Sequence, residues 1–268
     1  MSARWPGVLA VLGLLCSLAF CAHAAPQLDL LTQPEPDATR QRAMRRLNLA
    51  SAYYEQGQNH VAQQEVRAAL LIDADFAEAY SLLGLIHQRE NAPGLAESSF
   101  EQALQLASKP PVRFAELASI QHNYGWFLCS QNRFPEGQDQ LTRAAGQVGY
   151  RQASKSWMAL GVCQIRSGSQ GQANASFQRA LVLDPTNAFA RYQLASLEWQ
   201  AQQFDHAEAT LAPLNASAQA SAESLWLGVK LSRALAQPQQ MLQRAQQLTQ
   251  QFPQSAQTQA WRQSKFED

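Results

Sequence analysis

The 268 residues carry 21 Lys and Arg against 21 Asp and Glu, so the chain lacks the basic excess with which a nucleic-acid binder neutralises phosphate, and nucleic acid is not an expected partner. Apolar residues make up 46% of the chain and charged residues 16%, with no apolar run long enough for a comfortable membrane span of about 20 residues.

The first segment has Arg4 as its only early charge, then the apolar run Val8 to Phe20, then Ala22-His23-Ala24 before Ala25. Residues 1–24 therefore read as a secretory signal peptide. Within it, Leu18-Ala19-Phe20-Cys21 resembles the lipobox of bacterial lipoproteins, in which the cysteine is lipidated and becomes the first mature residue. Phe20 departs from the small residue wanted there, and Ala22-His23-Ala24 suits ordinary signal peptidase, so Cys21 is either lipidated or lost with the signal. A lipid is the only route to a membrane that the sequence offers. Residues 25–39, with Pro26, Pro34 and Pro36 and no sustained period, read as a flexible linker.

From Arg40 the helical pattern is nearly continuous. The stretch Asn123 to Ala145 shows the unit: Tyr124, Phe127 and Leu128 recur at helical spacing beside the small Gly125, Gln131-Asn132-Arg133 breaks the pattern, and Phe134, Leu141 and Ala144 resume it. Small residues in the same place elsewhere are Ala50, Gly84, Gly161, Ala195 and Gly228, giving spacings of 34, 41, 36, 34 and 33 along the chain. Twelve residues after each of the first five small residues stand Ala62, Ala96, Gly137, Ala173 and Ala207, and four beyond those come Val66, Phe100, Leu141, Phe177 and Leu211. A period near 34 with this register is the tetratricopeptide signature. Residues 40–268 are accordingly expected to be all-α, a right-handed superhelical solenoid of about six repeats, and monomeric. The prolines of Ser108 to Phe114 end one helix and account for the spacing of 41. Ala212 to Ala222 reads as a loose turn, Leu225 to Phe252 as a terminal capping unit, and the segment from Gln254, with Trp261 and Phe266, as one more short helix.

No phosphate-cradling loop, zinc-spaced histidine pair, Cys-x-x-Cys or nucleophile elbow occurs, so neither an enzyme nor a cofactor or metal is expected. His60, His87, His122 and His206 are isolated, which suits surface or packing roles. The surface that remains is the concave face lined by the first helix of each repeat. Positions of that helix that usually point into the groove carry Tyr54 and Glu55, Gln88 and Arg89, His122 and Trp126, Lys155, Met158 and Arg166, and Phe189, Tyr192 and Trp199. Aromatics and arginines on an exposed concave face suit recognition of a peptide or protein. Packing between repeats is the competing role, at even weight for Trp126 and Trp199.

Cys129 and Cys163 fall in the first helices of repeats three and four, offset by two residues in register, or roughly 200° around a helix axis. Neighbouring parallel helices touch through opposite sides, so the two would face each other with Cα atoms roughly 4–5.5 Å apart, within disulfide range. A disulfide is expected, and a pair of buried free thiols is the alternative.

Asn123-Tyr-Gly-Trp-Phe-Leu-Cys with Asn132-Arg-Phe, then Leu160-Gly-Val-Cys163, Leu225-Trp-Leu-Gly-Val-Lys-Leu and Phe252-Pro-Gln-Ser255 go beyond what a generic repeat requires. Through them the chain, from about Arg40 to Trp261, resembles the type IV pilus biogenesis and stability proteins of Gram-negative bacteria, the PilF or PilW pilotin family. The resemblance implies a lipoprotein of six repeats at the inner face of the outer membrane that helps the pilus secretin reach that membrane and form its multimer, with a pilus secretin or another pilus assembly protein as partner. It also implies a cysteine pair in repeats three and four. A general periplasmic tetratricopeptide adaptor in envelope biogenesis is the alternative role.

Overall fold

The computed structural model describes residues 36–266; the expected signal peptide, Cys21 and residues 25–35 of the expected linker lie outside them. The described residues form thirteen helices and no strand. Six pairs follow one another: α1 (Pro36–Glu55) with α2 (Asn59–Ile72), α3 (Ala77–Arg89) with α4 (Pro93–Ala107), α5 (Phe114–Ser130) with α6 (Phe134–Gly146), α7 (Ala153–Arg166) with α8 (Gln170–Leu183), α9 (Ala188–Gln200) with α10 (Phe204–Asn215), and α11 (Ala222–Ala234) with α12 (Pro238–Gln251). A helix of seven residues, α13 (Ala256–Arg262), closes the series. Each pair packs on itself and on its neighbours, the first helix of one repeat touching the first helix of the next, as α3 touches α5 and α5 touches α7. This is the all-α superhelical repeat architecture.

The small residues make the pairing close. A Cβ added at Gly84 would lie 2.8 Å from the Phe100 ring, and one at Gly161 would lie 2.8 Å from the Phe177 ring. Second-helix alanines at the crossings, Ala62, Ala96, Ala173 and Ala207, are wholly buried, and so are the large side chains one turn on, Val66, Phe100, Leu141 and Phe177. Helices thus cross at contact distance with bulky side chains wedged beside the crossing, as close packing of α-hairpins requires.

The turn inside every pair contains one residue in the left-handed region: Gly57, Asn91, Asn132, Gly168, Gln202 and Ala236. Such a residue lets the chain leave the first helix while its last carbonyls are still satisfied, and Gly and Asn adopt the conformation at least cost. Four of the six turns use them.

Two boundaries differ from the sequence reading. Helix α1 takes in Pro36 to Thr39, which fall in the expected linker, since proline is tolerated in a first helical turn. Ala212 to Asn215, expected in a loose turn, belong to α10, with Pro213 inside the helix. Leu211, Leu214 and Asn215 are buried there, and that burial outweighs one backbone hydrogen bond lost to proline. The spacing of 41 has its expected origin: the loop after α4 contains Pro110 and Pro111, and α5 starts at Phe114 and runs for 17 residues, longer than α3.

At the far end, α13 packs on α11 and α12. The Phe266 ring stacks on Trp226 at 5.5 Å and meets Trp261 edge-on at 6.0 Å, closing the last apolar face.

Candidate protein-binding groove

The residues chosen for the concave face divide. Five of them, His122 and Trp126 on α5, Lys155 and Met158 on α7 and Phe189 on α9, line one cavity of about 760 Å³. Its floor is completed by Ala159 and Val162 of α7, and its ends by the segments that precede α7 and α9.

The segment before α7 shapes the cavity most. It spans 147–152, six residues, where the segments before α3 and α9 have four. The added length brings Tyr150 against Ala118 and Ala144, buried, with Ser156 and Ser119 near its hydroxyl, and burial holds the phenol above its ordinary pKa. Beneath the same wall, His122 Nδ1 lies 2.9 Å from the Oγ of Ser156, which is wholly buried. Burial first, and the Lys155 ammonium second, bring the His122 pKa down to about 4. The imidazole is therefore neutral at neutral pH and serves as a polar wall.

Trp126 is 37% exposed and Phe189 47% exposed, so two large apolar surfaces face the open cavity. Lys155 and Arg151 are exposed on its rim. Asp184 is engaged locally: its carboxylate accepts from the Thr186 backbone N–H at 3.1 Å, the Thr186 hydroxyl at 2.8 Å and the Asn187 amide, which hold its pKa below the usual carboxylate range. Asn187 in turn caps α9 through Ala190 N–H at 2.9 Å.

The other groove candidates are not part of this cavity. Arg89 lies over the Tyr54 ring at 3.5 Å and donates to the Tyr54 carbonyl, a clasp between repeats one and two. Gln88 donates to Ser130 Oγ at 3.2 Å, and Arg166 reaches Asn132 Oδ1 at 3.4 Å. Tyr192 and Trp199 pack against the core around Ala195, Leu211 and Leu231, with Trp199 against Phe204 at 5.0 Å and the Lys230 ammonium 5.5 Å from its ring centroid. Trp199 thus splits its surface between packing and a smaller hollow of about 320 Å³ beside Lys230, Arg233 and Phe266.

The sequence reading missed Tyr150, Arg151, Asp184 and Asn187, because it took groove residues from first helices alone. A signal for the first two existed: the spacing of 36 between Gly125 and Gly161 implies extra residues between those repeats.

Between α5 and α7 the side chains of Cys129 and Cys163 meet, with Cα atoms 5.7 Å apart and sulfurs at the bonding distance of 1.99 Å. Among the described residues no group of three or more His, Cys, Asp or Glu could hold a metal ion, and no helix is long and apolar enough to cross a membrane.

The tetratricopeptide repeat family matches residues 47–111 and 128–188. The type IV pilus assembly protein PilF of Pseudomonas aeruginosa is 26% identical over 220 residues, 82% of this chain and 83% of that one. The solved structure of PilW, described as a widely conserved type IV pilus biogenesis factor, superposes with a TM-score of 0.66 at 28% identity, covering 82% of this chain and 98% of that one. The structure of Pseudomonas aeruginosa PilF gives a TM-score of 0.70 at 24% identity, covering 85% and 98%. A mouse protein O-mannosyl-transferase, TMTC1, is 31% identical over 153 residues, which are 57% of this chain but 16% of that protein. The repeat register, the six helix pairs and the near-full-length matches agree: the chain is a tetratricopeptide-repeat protein of the group that holds the type IV pilus biogenesis factors PilF and PilW.

Proposed function

We propose that the chain is a non-enzymatic assembly factor for type IV pili, a pilotin that binds the pilus secretin and promotes its localisation and multimer formation. The observation that supports this best is the similarity to PilF across 82% of the chain, joined to a fold whose exposed concave face suits protein recognition. On this reading residues 1–24 direct export, residues 25–35 are a tether, shortened from the expected 25–39 by the first turn of α1, and residues 36–268 form the binding domain. The protein works as a monomer in the periplasm, held at the inner leaflet of the outer membrane if Cys21 is lipidated.

The cavity between α5, α7 and α9 is its first candidate contact surface, because there aromatic and apolar side chains stand open to solvent beside cationic groups. Deletion of the gene should lower the amount of multimeric secretin and abolish surface pili, with both restored by the intact gene. Unchanged multimers and normal pili in a clean deletion would rule out the pilotin role and favour a general envelope adaptor. Replacement of Cys21 by Ser separates the anchor from the binding role: a lipidated protein would move from the membrane to the soluble periplasmic fraction.

A further inference from the structure

We infer that the cavity between α5, α7 and α9 receives an extended peptide segment of a partner protein in which a large apolar side chain stands next to acidic ones. The inference rests on the protein-binding role proposed above and adds the chemistry of what is bound.

The apolar half follows from the lining. Trp126 and Phe189 flank the cavity from α5 and α9, while Met158 and Val162 of α7 form the floor between them. A volume of about 760 Å³ exceeds what one side chain fills and lies in the range of sites that enclose a substantial ligand. Met is unbranched and adaptable, so the floor can close on aromatic or aliphatic anchors.

The acidic half follows from charge. Lys155 and Arg151 stand exposed on the rim, and the one carboxylate of the lining, Asp184, already accepts three hydrogen bonds from Thr186 and Asn187. His122 contributes no charge near neutrality, and its Nδ1 is occupied by Ser156, which leaves Nε2 as the ring nitrogen for a ligand. An occupant with acidic groups beside its anchor meets a lining of net positive charge, two cations against the single Asp184 carboxylate, whereas a basic one meets net repulsion, and such complementarity chiefly sets specificity.

Fluorescence anisotropy of the full chain with three labelled dodecapeptides tests this, each with Gly-Ser flanks around a core of Phe-Leu-Asp-Glu, Phe-Leu-Lys-Lys or Gly-Gly-Asp-Glu. The first should bind at least about tenfold more tightly than the other two. In the double variant Lys155→Glu, Arg151→Glu, whose altered residues are exposed, the acidic peptide should lose about tenfold and the basic one should gain. Trp126→Ala should weaken the two Phe-Leu peptides together. Equal binding of the three peptides, or an unchanged acidic preference after charge reversal, overturns the inference. Co-purification of the secretin with the Trp126→Ala chain separates the two readings. If the acidic peptide fails to bind and that chain also loses the secretin, the peptide chemistry is wrong and the binding role stands. If the peptide fails and the secretin is retained, this cavity is not the contact surface.

Discussion

At single residues, the crossings and the buried titratable groups decide stability. Gly161 tests the crossings directly, because its added Cβ would meet three Phe177 ring atoms at 2.8–2.9 Å, as one at Gly84 would meet Phe100. Gly161→Ala should cost about 1–3 kcal/mol in urea unfolding, and Phe177→Leu in the same chain should cost less than the two single changes together. Two buried groups set opposing pH dependences. Burial, with the neighbouring Glu116 carboxylate second, raises the Glu78 pKa from 4.5 to about 7, while Arg40 stands 3.8 Å away, too far for a hydrogen bond. Glu78 therefore binds a proton more readily in the folded state, and its contribution is full below pH 4.5 and lost as pH rises to about 7. His122 acts in reverse: its folded pKa of about 4 lies below the ordinary 6.5, so its contribution is full above pH 6.5 and lost as pH falls towards 4. Each is on the order of 3 kcal/mol at full effect, so they largely offset each other between those limits. Thermal melts from pH 7 to 4.5 should show a steeper acid loss in Glu78→Gln than in the parent, and stabilisation by acid in His122→Gln. Parallel profiles for the three proteins would contradict this.

At the level of helices and turns, much of the architecture was legible because the repeat imposes steric rules that leave a mark on residue type. Ala50, Gly84, Gly125, Gly161 and Ala195 had to be small where two helices touch, and that alone places the first five units. What was not legible came from segments whose conformation is set by tertiary contact. Pro213 reads as a breaker in sequence, yet Leu211 and Leu214 hold its helix in place from below. The cavity was half legible for the same reason: His122, Trp126, Lys155, Met158 and Phe189 follow from helical register, whereas Tyr150 reaches the wall through a loop that no period describes. Turn chemistry also leaves room for improvement. Gln202 adopts φ 58° where the sister turns place Gly57 and Gly168, so Gln202→Gly should raise stability by about 0.5–1 kcal/mol, measurable as a higher urea midpoint. The pair Cys129 and Cys163 joins α5 to α7 across 34 residues of chain. A bridge over such a loop contributes about 2–4 kcal/mol, by a mechanism that is model-dependent. Either Cys→Ser change should lower the Tm by a similar amount, with little further loss in the double variant. Two reactive thiols in the unfolded, unreduced protein would show that the bridge is absent.

Across the whole molecule, a solenoid holds together through nearest neighbours, so its ends are where apolar faces lack a following repeat. In this chain α13 and the residues after it supply the cover at one end. Ala260, Trp261 and Phe266 pack on the cluster of Leu225, Trp226, Val229 and Leu248, and the Arg233 guanidinium lies 4.1 Å from the Phe266 ring centroid. Those contacts leave Trp226 only 8% exposed, although it belongs to the last first helix. Removing residues 254–268 should therefore do two separable things. Loss of the stacked aromatic contacts lowers the Tm, since a ring pair contributes about 0.5–1.5 kcal/mol beyond the apolar area it buries. The uncovered face, with Trp226 at its centre, then offers a self-complementary apolar patch, and association should appear in light scattering at concentrations where the full chain stays monomeric. Phe266→Ser alone isolates the first effect, because Trp261 remains to shield the face. A truncated chain that melts with the parent and stays monomeric would show that the sixth repeat covers its own end without α13.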